Sequence, residues 1–170
     1  MTEAPSRSLK RLSIQYVDSE DRVRLTGQMA DGAPEVVWLT QRLLQRMIPV
    51  LLQWLEQQDP KVAHAEVLRS WAQQRARAAL VRQPPIQPHE DSRTWLAESV
   101  DVARRAKGIR LTFKGMREEQ AVVAFAVNGL RQWLSIVHAA YVKAGWSQDV
   151  WPEWIRDSAS PGKRRTAVLH

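Results

Sequence analysis

Cysteine is absent from this chain of 170 residues. Its absence removes disulfides, thiol nucleophiles and cysteine-held zinc, and it suits a reducing compartment. Glycine is sparse. The seven glycines are scattered, and no G-x-G-x-x-G or G-K-[ST] occurs, so there is no phosphate-cradling loop to read. No apolar run approaches the roughly 20 residues of a membrane-spanning helix. The opening "MTEAPSRSLK" carries Glu3 and no apolar stretch, unlike a secretory signal. The expectation is a cytoplasmic protein without a membrane partner.

Catalytic constellations are equally sparse. His64, His138 and His170 stand apart from one another, and the cluster His89-Glu90-Asp91 lies in a proline-rich stretch. Three adjacent side chains rarely converge on one metal ion. "DSED" at 18–21 lacks the spacing and the glycine of a calcium loop and reads as a hairpin turn. No G-x-S-x-G elbow occurs. These observations point to a non-catalytic protein with no metal and no cofactor.

What the chain does have is charge, tryptophan and a repeat. Lys+Arg is 25 against Asp+Glu 18, a formal net charge of +7. Such a balance suits nucleic acid, anionic lipid or an acidic protein. Eight tryptophans stand against two tyrosines and two phenylalanines.

"VRLTGQM" from Val23 and "IRLTFKG" from Ile109 share Arg-Leu-Thr, and Arg24 and Arg110 stand 86 positions apart. The same shift sets Ile14 on Val100, Tyr16 on Val102, Val36-Val37 on Val122-Val123, Leu44 on Leu130 and Leu51 on Val137. No gap is needed. A gapless match of apolar positions through several elements predicts a duplicated unit.

Each copy reads as three strands and a helix. Leu12, Ile14 and Tyr16 alternate with polar residues, as do Val23 and Leu25. "EVVWLT" is apolar on both sides, as a central strand is. Thr40 and Asn128 precede apolar stripes and suit helix caps. Pro49 predicts a kink or break in the first of these helices. Gly145 reads as the stop of the second.

The chain divides into a first unit 10–58, an inserted helix 59–83 opened by Asp59-Pro60, and a linker 84–92. A second unit 93–145, a tryptophan-rich segment 146–157 and a disordered tail 158–170 follow. The inserted helix is expected to bury Val67, Leu68, Trp71 and Leu80. One small sheet with one helix buries too little to stand alone. The expected fold is therefore a single α+β domain of two related halves about a pseudo-twofold axis.

Alternation places Arg24 and Thr26, and Arg110, Thr112 and Lys114, on the strand faces opposite the core. Arg22, Arg105 and Lys107 stand in the adjoining turns. Together with Trp38 as a stacking platform, these residues form a candidate nucleic-acid surface, with single strands favoured. A plain solvated sheet face is the alternative. In organisation, a repeated β-meander plus helix on a basic chain resembles Pur-type and related single-strand-binding modules, which carry four strands per helix where three are counted here. The second functional reading is a protein-interaction adaptor, docking through Trp146, Trp151, Trp154 and the kinked helix.

Overall fold

The computed structural model describes residues 8–59 and 61–159. The N-terminal residues weighed as a signal, Pro60 and most of the tail lie outside them. Among the described residues the chain is α+β, with two sheets and four helices.

Three antiparallel strands open it: β1 (Arg11–Val17), β2 (Arg22–Gln28) and β3 (Pro34–Leu39). The "DSED" turn closes through hydrogen bonds from Glu20 N to Val17 O and Asp21 N to Asp18 O, with Asp21 at φ 48°. Val23, Leu25, Val37 and Leu39 share one face and are fully buried. α1 (Gln41–Gln58) follows, and Thr40 caps it by accepting from Leu43 N at 3.1 Å. Pro49 does not split this helix. Gln45, whose carbonyl loses its partner to the proline, is exposed like Pro49 itself, so the missing bond falls on the solvent side of the helix.

The second half contains β5 (Ser99–Arg104), β6 (Gly108–Lys114), β7 (Gln120–Ala126) and α3 (Val127–Ala144). Between the halves lie α2 (Ala65–Ala78) and β4 (Arg93–Leu96), and α4 (Glu153–Ser158) comes last. α3 begins at Val127, so Asn128 sits inside its first turn and not at the cap. Gly145 ends α3 in the left-handed region at φ 69°. Asp59 does not open α2. It terminates α1 and pairs with Arg69 at 2.7 Å and Arg131 at 3.2 Å, while His64 stands at the N-cap of α2.

"WLAESVDV" is not one strand. Trp95 pairs in parallel with Val37 of the first sheet, and Ala97 N donates to Trp38 O. One residue later Glu98 N donates to Lys114 O of the second sheet. The N-terminus makes the reverse crossing. Leu9 N donates to Val122 O of β7, and Lys10 N donates to Gln28 O of β2. The helices exchange as well: α1 packs on β5 and α3 on β1. The Trp54 indole N–H, on α1, reaches Arg105 O at 3.3 Å. The halves thus share one core.

The pairing register of β2 with β3 recurs in β6 with β7 at the 86-residue shift: Arg24 faces Trp38, and Arg110 faces Ala124. The first strand departs from it. Ile14 faces Leu25 while Val102 faces Leu111, so Ile14 corresponds to Val102 and not to Val100. A two-residue shift keeps every side chain on its face, which is why the gapless match survived it.

Trp146, Trp151 and Trp154 pack inward. Trp146 and Trp151 meet the Tyr141 ring edge-on at 5.0 and 5.4 Å, and Trp154 lies under the Arg131 guanidinium at 5.9 Å.

Candidate nucleic-acid interface

The outer faces of the two sheets differ. On the first sheet, Ser13, Thr26 and Val36 lie in one row across β1, β2 and β3. The linker crosses here. Arg11 donates to Pro84 O at 2.5 Å, and Ile86 N donates to Ser13 Oγ at 2.9 Å. The chain then joins the opposite edge of the sheet at Arg93. Thr26 and Val36 are buried beneath this path. Arg24 is half-buried, its Nη2 donates to Gln15 Oε1 at 2.7 Å, and its Nε is enclosed without a partner. Trp38, opposite it, is also half-buried. Arg22 lies 3.9 Å from Glu20.

The second sheet is open. Its outer rows read Ala103–Arg110–Ala124, Asp101–Thr112–Val122 and Ser99–Lys114–Gln120. Arg110 is exposed between two alanines. Lys114 is paired with Asp101 at 2.5 Å. Arg104, Arg105 and Lys107 are exposed around the β5–β6 turn, which closes through Arg105 N to Gly108 O. Arg105, Gly108, Arg110, Ala124 and Phe125 line one shallow basin. Gly108 is needed there, because an added Cβ would stand 3.0 Å from the Phe125 carbonyl oxygen.

The expected site residues therefore divide. Arg105, Lys107 and Arg110 share an open basic surface. Arg24 and Trp38 belong to another sheet whose face the linker partly covers, so the two polar faces are not one equivalent pair. The C-terminal tryptophans are buried within the chain and offer no docking surface. Their indoles fill the space beside α3, where large rings bury the most area. Trp71, expected in the core, is 55% exposed. Phe125 was not singled out from sequence, since a lone aromatic in an apolar strand reads as core. It does touch Trp133, at 5.3 Å between centroids, but it also borders the basin.

A second cavity lies against α3, lined by Arg77, Ser135, His138, Ile155 and Ser158. Burial pushes the His138 pKa down, opposed by its hydrogen bond to Gln148 at 2.8 Å. Ser135 and Ser158 donate their hydroxyls to carbonyls three residues back, Gln132 O and Ile155 O. Neither is poised as a nucleophile toward His138.

Among the described residues, no three His, Asp or Glu side chains cluster to hold a metal, and no helix is long and apolar enough to cross a membrane. Comparison with family models, curated proteins and solved structures finds no significant match to this chain.

Proposed function

We propose that the chain is a non-catalytic, single-strand-favouring nucleic-acid-binding protein that uses the outer face of its second sheet. The observation that carries this reading is Arg110, exposed between Ala103 and Ala124 and sharing a basin with Arg105 and Phe125. The small alanine side chains let a sugar-phosphate backbone approach the sheet. The guanidinium groups offer paired donors to phosphate oxygens. Arg104 and Lys107 extend the positive field along the turn. Trp38 and Arg24 form a lesser platform on the first sheet.

The same reading includes an ancestral duplication with a pseudo-twofold axis. Two facts support it: the shared 86-residue register of β2-β3-α1 and β6-β7-α3, and the reciprocal crossings at Leu9-Lys10 and Ala97-Glu98. β4 joins the first sheet beside β3, and the second sheet keeps three strands, one fewer than Pur-type modules carry.

The test is a titration of labelled single-stranded oligonucleotide at two salt concentrations. Wild type should bind more tightly than the roughly 10⁻⁴ to 10⁻⁶ M of non-specific attraction. Arg105→Glu/Arg110→Glu should weaken binding and flatten the salt slope by about one unit per lost phosphate contact. Both side chains are exposed, so the fold is spared. Equal binding by wild type and the double variant overturns the assignment.

A further inference from the structure

The groove between α2 and α4 is acidic on a basic protein. Glu66, Ser70 and Trp71 of α2 line it from one side, and Glu153, Trp154 and Asp157 of α4 from the other. Its volume is about 170 Å³, room for a cationic head group. The Trp154 ring is already covered by the Arg131 guanidinium, whereas Trp71 is 55% exposed. Ser70 is buried at 7% exposure, and its Oγ finds no hydrogen-bond partner among the described residues. Buried hydroxyls are ordinarily paired, so this one points to a group that the described residues do not supply. No described Lys or Arg lines the groove. Arg69 and Arg131 are engaged by Asp59, and Arg77 donates to Ser158 O.

Carboxylates, an exposed indole and a buried hydroxyl together select a cation with hydrogen-bond donors, a guanidinium or an ammonium. Long-range charge decides its source. A basic partner from outside approaches a chain of net charge +7 against repulsion. A segment of the chain itself has no such approach to make. The described residues end at Ala159, just past Asp157. Residues 160–170 follow, and they carry Lys163, Arg164 and Arg165 in succession after Pro161-Gly162, a turn-forming pair. The stretch from Asp157 to Lys163 reaches about 20 Å at full extension. Glu153 stands only about 6 Å back along α4 from Asp157, so the reach is ample.

We propose that the Lys163-Arg164-Arg165 segment docks in the α2–α4 groove of its own chain. A guanidinium stacks on the Trp71 indole, and the neighbouring cations pair with Glu66 and Glu153. Each contact is weak at an exposed surface. The tether decides the population, because a short linker holds the segment at a roughly millimolar effective concentration. Salt loosens the contact, since exposed pairs are screened. The groove shares no residue with the basin of Arg105 and Arg110, so docking and nucleic-acid binding stand or fall separately.

The absence of cysteine permits a single label on the full chain. A nitroxide on Thr166→Cys is read by its broadening of the Trp71 indole N–H resonance, which is assigned by its loss in Trp71→Phe. At low salt the resonance should be strongly broadened, and about 0.5 M salt should relieve the broadening. Glu66→Lys/Glu153→Lys, with the label in place, should reduce it at least twofold or so at low salt. Both side chains are exposed, so the melting curve should be unchanged. Lys163→Glu/Arg164→Glu/Arg165→Glu should reduce it as much without touching either helix. Broadening that is the same in all these chains and at both salt concentrations overturns the proposal. So does broadening of an isotope-labelled chain by a nitroxide carried on a second chain, which would place the segment in a neighbouring copy.

Discussion

The indole N–H of Trp146 donates to the Asp21 carboxylate at 3.1 Å, linking residues 125 positions apart. The Tyr16 hydroxyl donates to the same oxygen at 2.7 Å. One turn residue therefore ties the first hairpin to the segment after α3. The Tyr16 and Trp146 rings meet edge-on at 5.5 Å around it.

These two donors hold the Asp21 carboxyl below its ordinary pKa, the Tyr16 hydrogen bond contributing most, and the Tyr16 phenol is pushed up to about 12. The sign follows directly. The folded state favours the carboxylate, so its contribution is full above the unfolded value of about 3.9 and is lost as pH falls through the lowered folded value. Asp21→Asn tolerates the left-handed backbone and keeps an acceptor oxygen, but it does not titrate. Acid unfolding followed by tryptophan fluorescence should have a shallower acid limb in Asp21→Asn than in wild type. Identical acid limbs would show that Asp21 has no part in it.

His138 responds to pH at a higher range. Burial disfavours its imidazolium most, the Gln148 hydrogen bond opposes that, and Arg77 and Arg156 add repulsion. The unfolded chain therefore takes up the proton first. Stability is full above about pH 6.5 and declines as pH falls toward the lowered folded value. Urea midpoints measured at pH 7.5 and 5.5 should differ for wild type and should converge for His138→Gln.

Gly115 leaves no room for a methyl group. An added Cβ would lie 2.8 Å from Trp95 Cε3 and 2.6 Å from Glu119 Oε2. Trp95 does not yield easily, because its Nε1 is held by the buried Glu35 carboxylate at 2.7 Å. Gly115→Ala should destabilise the protein by about 1–3 kcal/mol, the usual cost of overpacking. Differential unfolding in urea measures it, and a cost below about 0.5 kcal/mol would mean that the indole shifts freely.

Residues 1–83 should not fold alone. That polypeptide lacks β4, which pairs with β3, and α3, which packs on β1. It also leaves Trp54 without the Arg105 carbonyl. A collapsed amide proton spectrum is expected. Well-dispersed resonances would show that the first sheet and α1 are self-sufficient.

Much of the local structure is legible in the sequence. Alternation at Val23-Leu25 and Ile109-Leu111 marks strands with a buried face, Thr40 marks a helix start, and Gly145 marks a stop. Each of these is decided within a few residues by backbone geometry. The Arg-Leu-Thr register also carries through to the pairing of Arg24 with Trp38 and Arg110 with Ala124. Of the candidate interface, Arg105, Lys107 and Arg110 follow from alternation and turn position alone.

What the tertiary structure decided is which surface each face meets. Periodicity places Val67, Leu68 and Trp71 together on α2, but the buried side of that helix is set by Gln73 reaching Arg131 O and by Ala76 receiving Gln132. The polar face of β2 was legible too. Its cover was not, because Ile86 reaches Ser13 over a separation of 73 residues. Trp146 is buried for the same reason: Tyr16 and Asp21, more than 120 residues away in the chain, enclose it together with nearby Tyr141. Sequence pattern fixes the side of an element on which a residue stands. Burial depends on long-range contacts, and those exist only once the two halves have closed on each other.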